Sequence, residues 1–117
     1  MRWTGPKCWT ESVMYILECL PCRAAGRKVG YIGETAKSGY ERGAQHARNG
    51  RRSKESFPLT KHGWDAHGLG KGQTPKFQMR ILRSFKTALE RTVAQAVQIF
   101  SNQLDETLNS KSEWGFP

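Results

Sequence analysis

Residues 12 to 33 leave the chain little choice but to fold back on itself. "SVMYILEC" (12 to 19) is short, rich in strand formers and partly alternating, which predicts a strand. Pro21 and Gly26 in "LPCRAAGR" are turn signals, and "KVGYIG" (28 to 33) predicts the returning strand. An antiparallel hairpin with a wide loop follows. Ser38 and Glu41 then fit the S-x-x-E capping box, so a helix is expected from near Gly39 to about Arg48. Gly39 and Gly43 oppose that helix by roughly 1 kcal/mol each.

Downstream, residues 49 to 56 form a polar, basic loop, and "FPLTKHGWDAHG" suits a short helix after Pro58. Residues 68 to 74 are a flexible connection. "FQMRILRSF" (77 to 85) alternates Phe77, Met79 and Ile81 with polar neighbours, as a half-buried strand does. Thr87 and Glu90 offer a second capping box. "ALERTVAQAVQIF" places Leu89, Val93, Ala96, Val97 and Phe100 on one helical face, which is expected to meet the core. The tail from Gln103 reads as irregular and pinned by Leu108, Trp114 and Phe116. The order predicts an α+β class: a small three-stranded, mainly antiparallel sheet flanked by helices, in one domain spanning 1–117.

Charge narrows the possible partners. The formal net charge is +9 and the pI near 9.9, a field that favours polyanions. Between Lys37 and Lys61 there are seven basic residues (Lys37, Arg42, Arg48, Arg51, Arg52, Lys54, Lys61) against Glu41 and Glu55. That stretch is expected to contact phosphates, with Lys76, Arg80, Arg83 and Lys86 extending the track. The simpler alternative is a solvated basic face. Trp3, Trp9, Trp64 and Trp114 are mostly expected in the core or at its rim, with one near the cleft able to stack on a base. No apolar run reaches membrane-spanning length and no signal-peptide core is present, so the expectation is an intracellular protein, nuclear in a eukaryote and cytoplasmic in a prokaryote.

Two groups of residues carry chemistry. Arg42 and His46 are four residues apart on one predicted helix and project from the same face. Alone they read as solvated residues, but the turn at Gly33 brings Tyr31 towards them. A phenol, a guanidinium and an imidazole suit phosphodiester chemistry: arginine neutralises phosphate, while histidine and tyrosine move or orient protons. The second group is Cys19 and Cys22, a C-x2-C pair in the hairpin loop, with His62 and His67 some forty residues on. Together they would make a tetrahedral structural zinc site. The alternative is buried cysteines and surface histidines. The third cysteine, Cys8, is left over as a packed or free thiol.

"VMY" (13 to 15), "YIG" (31 to 33), Arg42-x3-His46, "RILRS", "ERTVAQAVQI" and "LNSKSEWG" together resemble the GIY-YIG nuclease superfamily over nearly the whole chain. Only Tyr15 of the first triplet is kept. The resemblance implies a DNA endonuclease of a mobile element or other DNA-processing system, working with one Mg²⁺ or Mn²⁺ ion. Tyr15 and Tyr31 would position or deprotonate the attacking water, Arg42 would stabilise the scissile phosphate, and His46 would assist proton transfer. Asn109 lies near the family's supporting asparagine. The variant attached to Penelope-like retroelements also carries two cysteines between its tyrosine motifs and two histidines downstream, which again implies zinc.

One position departs from the family. Where it has a metal-binding glutamate in R-x3-E-A, this chain has Gln95, and an amide brings no negative charge to a hard cation. Glu90 is turned away from that direction on a helix, and Glu34 is the better fallback. Gln95 reads either as a deliberate Glu→Gln change that holds a nuclease on intact DNA, or as the mark of a nuclease-derived module that only binds.

Overall fold

The computed structural model describes residues 2–4, 9–51, 58–69, 75–100 and 104–109. Strand β1 (Arg2–Thr4) is followed by β2 (Glu11–Cys19), helix α1 (Leu20–Ala24), β3 (Val29–Ser38), α2 (Gly39–Arg51), α3 (Pro58–His67), β4 (Phe77–Ser84), α4 (Ala88–Phe100) and β5 (Glu106–Thr107). The class is α+β, as the alternation of strand and helix patterns required. The three long strands are antiparallel neighbours, with β2 between β3 and β4. The sheet is larger and more mixed than expected, however. Its order is β1-β4-β2-β3-β5, and the two short outer strands run parallel to their neighbours. Strands of three and two residues have too few side chains to show a period in sequence; pairing with β4 and β3 is what makes them strands.

The hairpin loop holds a one-turn helix, α1, with Pro21 in its first turn, where a missing N–H costs nothing. Gly26 closes the loop at φ 83°, a left-handed conformation that glycine adopts without Cβ strain. Both capping boxes form at the backbone: the Glu41 N–H donates to Ser38 Oγ at 3.2 Å and the Glu90 N–H to Thr87 Oγ1 at 3.2 Å. α2 runs three residues further than Arg48 despite its glycines.

Strand alternation divides the core into two layers. Tyr15, Leu17, Cys19, Val29, Phe77 and Met79 face one side, where Leu59 of α3 and Cys22 of α1 cover them. Met14, Ile16 and Ile32 face the other, against Ala94 and Ile99 of α4. α4 buries only part of the face its periodicity suggests. Ala96 of that face is buried, but Leu89, Val93 and Val97 are 74, 42 and 62% exposed, while Arg91 and Gln95 outside it are buried; the Phe100 side chain lies outside the described residues. The reason is polar: Arg91 is drawn down to Glu34, its Nε 2.7 Å from Glu34 Oε2, and donates from Nη1 to Ser12 Oγ at 2.7 Å. Those contacts fix the rotation of the helix and leave Leu89, Val93 and Val97 of the apolar stripe outward. Among the described residues no helix is long and apolar enough to cross a membrane.

Candidate functional site

Tyr15 and Gly33 are directly paired across β2 and β3, and Leu17 is paired with Tyr31. This register puts the two tyrosines on the same face of the sheet. The Tyr15 ring lies over Gly33 so closely that a Cβ there would come within 2.2 Å of the ring and hydroxyl. The glycine of "YIG" therefore makes room for the first tyrosine. The capping box at Ser38 starts α2 directly after β3, and about two turns later His46 reaches back over both phenols. Tyr15 Oη is 2.9 Å from His46 Nε2. Tyr31 meets the same imidazole edge-on, with ring centroids 5.5 Å apart. Arg42, one turn before His46, is held by Gln45, to whose Oε1 its Nη1 donates at 2.6 Å.

Exposure separates the roles of the tyrosines. Tyr15 is completely buried, whereas Tyr31, His46 and Arg42 keep some contact with solvent. Burial, and secondarily the Arg42 charge, pushes the His46 imidazole down to about 3, so it is neutral at physiological pH. A neutral imidazole touching a phenol can exchange protons, and the guanidinium beside it supplies positive charge for an anion.

Gln95 and Asn109 meet elsewhere on the same strand. Both amides donate to the carbonyl oxygen of Ile32, Gln95 from Nε2 at 3.0 Å and Asn109 from Nδ2 at 2.6 Å. Asn109 Oδ1 also accepts from the Ile32 N–H at 2.9 Å. They hold the peptide next to Tyr31, at the β3 edge beyond β5. Glu34, the fallback carboxylate, is engaged by Arg91, and Glu90 by its own helix cap.

The second cluster is compact. Cys19 ends β2, Cys22 lies in α1, and His62 and His67 project from α3. Their four ligand atoms all lie within 4.8 Å of one another. Cys19 Sγ and Cys22 Sγ are each 3.3 Å from His67 Nε2, Cys22 Sγ is 3.3 Å from His62 Nε2, and the two Nε2 atoms are 3.2 Å apart. A tetrahedral ion with bonds of about 2.3 Å to sulfur and 2.0–2.1 Å to nitrogen requires S···N near 3.6 Å and N···N near 3.4 Å. These four spacings agree to a few tenths of an ångström, while the widest of the cluster, up to 4.8 Å, is about 1 Å longer than a tetrahedral edge, so the group would close slightly around an ion. Burial pushes the Cys19 thiol up to about 11, with the Cys22 sulfur adding to the rise, and lowers His62. The four residues form a group able to hold a metal ion such as zinc.

The basic residues are more dispersed. Lys37 near the end of β3, Arg48 on α2 and Lys61 on α3 are all exposed. Arg80 is not on the side of the sheet that carries the tyrosines: it alternates with Met79 and Ile81 and lines a cavity of about 430 Å³ with Ile16, Arg23 and Lys28 on the opposite face. The Arg51 side chain, Arg52, Lys54 and Cys8 lie outside the described residues, as do the Trp3 and Trp64 side chains and Trp114. Two features had no readable signal: the Arg91–Glu34–Ser12 clamp, which joins distant segments, and a stack of Trp9 on Tyr40 at 4.3 Å. Comparison of the chain with protein-family models, curated proteins and solved structures gives no match to any of them.

Proposed function

We propose that this chain is a DNA endonuclease domain of GIY-YIG type, stapled by a structural zinc ion, in which Gln95 stands at the position of the divalent-metal ligand. The observation that carries the reading is the Tyr15–His46 contact at 2.9 Å, with Tyr31 against the same imidazole and Arg42 one turn away. In this reading Arg42 takes the scissile phosphate and Tyr31 orients the water. His46 accepts the water's proton, and the buried Tyr15 fixes the tautomer and orientation of the imidazole. A phosphate bound beside Arg42 would offset its charge and raise the basicity of His46. A divalent ion, when bound, would polarise the phosphoryl oxygen and acidify the attacking water. Zinc in the Cys19–Cys22–His62–His67 group would hold α3 to the end of β2, a fixed support for the tyrosine face.

A second reading, a nucleic-acid-binding module without chemistry, is favoured by Gln95 itself. Its buried amide donates to the Ile32 carbonyl, a bond that a carboxylate cannot make. The Gln95→Glu variant separates the two. With Mg²⁺ or Mn²⁺ it should nick DNA where the parent chain does not. An intact fold that stays inert on several single- and double-stranded DNAs would overturn the catalytic reading and leave the binding module.

A further inference from the structure

Trp9 is 65% exposed and Tyr40, the second residue of α2, is 39% exposed, yet their rings stack at 4.3 Å with an interplanar angle of 25°. Burial does not explain an aromatic pair held so far out in solvent. The pairing of Glu11 with Ser38 accounts for its position: it carries the residue two before β2 alongside the start of the helix that bears Arg42 and His46. Tyr40 covers one face of the indole and fixes its plane, while most of the indole surface stays open. Exposed Lys37 lies three residues before Tyr40 and Arg42 two residues after it, so the stack lies between two cations in sequence.

We infer that Trp9, backed by Tyr40, is a stacking platform for an unpaired nucleobase, so that the nucleic acid this domain engages carries single-stranded or flipped-out nucleotides. The inference rests on the nucleic-acid reading above and adds the substrate class. An aromatic plane fixed by a second ring offers a base a π-face, and Lys37 and Arg42, close to Tyr40 in sequence, supply positive charge for its phosphates. A closed duplex cannot use it, because its bases already stack on one another and extrusion of one costs a few kcal/mol.

Fluorescence anisotropy with labelled oligothymidylate and with a hairpin-closed duplex tests this at low salt. Trp9→Ala should weaken oligothymidylate binding by about 5- to 150-fold, the range of one lost base stack, and change duplex binding by less than about twofold. Trp9→Phe should recover most of the loss, and Tyr40→Ala should reproduce part of it. Equal loss on both DNAs, or no loss on the single strand, would overturn the inference while leaving DNA binding in place. A parent chain that binds neither DNA would remove the nucleic-acid reading and the platform together. If Trp9→Ala abolished self-association in sedimentation without altering DNA binding, the pair would be a contact between copies and the platform would be wrong.

Discussion

The phenol oxygen of Tyr15 and Nε2 of His46 lie 2.9 Å apart, joining the middle strand of the sheet to the helix that follows β3. Thirty-one residues separate them in sequence, and the contact exists only because the Gly33 position leaves room for the Tyr15 ring.

The buried imidazole makes stability pH-dependent. His46 takes a proton only at about 3 in the folded chain, against an ordinary value of 6.5. Between these values the unfolded chain binds one proton more, so the free energy of unfolding falls as pH is lowered through that window. The contribution approaches about 1.4 kcal/mol per pH unit and is absent above the upper value. Urea denaturation of the parent should therefore weaken with acid more steeply than that of His46→Gln, which cannot titrate. The comparison cancels His62, whose shift has the same direction. Parallel curves would mean that the imidazole is not held neutral.

Metal removal tests the second cluster. Elemental analysis should find about one zinc per chain, and a chelator should lower Tm by on the order of 10 °C. Cys22→Ser should be less stable and insensitive to chelator. A cation must displace the Cys19 thiol proton, held up to about 11, so zinc affinity should fall as pH drops. Purified protein without metal, and with the same Tm in chelator, would remove zinc from the fold.

Gly33→Ala asks for space that is not there. A Cβ at 2.2 Å from the Tyr15 ring forces that ring aside, at a cost on the order of 1–3 kcal/mol, and breaks its hold on His46. Chemical denaturation should show the loss, and the His46 imidazole signals in NMR should move. A variant with parental stability and an unmoved imidazole would show that the close approach is not a constraint.

The two faces of α4 should respond oppositely to substitution. Leu89→Ser and Val97→Ser, on the exposed stripe, should each change stability by less than about 0.5 kcal/mol. Arg91→Ala should cost about 1–3 kcal/mol, because it leaves Glu34 and Ser12 without their guanidinium. Urea midpoints decide the matter, and the reverse ranking would mean that the helix is turned the other way.

Much of this was legible along the chain because the signals are local. The hairpin strands, both capping boxes and the helix after Pro58 announce themselves within a few residues, through period and cap chemistry. The C-x2-C pair and the two histidines were readable as metal-ligating types. What they could not carry was distance: some forty residues separate the halves of the cluster, and only the return of α3 onto the end of β2 brings the ligand atoms within 4.8 Å. The apolar stripe of α4 held at Ala96 but misled at Leu89, Val93 and Val97, for a related reason. Periodicity reports which residues share a face, whereas the face that turns inward was settled by Arg91 reaching Glu34, a bond between residues 57 positions apart.

By itself, then, the sequence determined residue chemistry and local geometry: an α+β chain, strongly basic, with tyrosines, an arginine and a histidine in a suggestive order. Tertiary structure decided which of them meet. It buried Tyr15 and left Tyr31 only partly buried, turned Arg80 to the opposite face, and tied Gln95 to a backbone carbonyl. The physical reason is that strand register and helix rotation are set by cross-chain packing and buried hydrogen bonds, which no local window of residues contains.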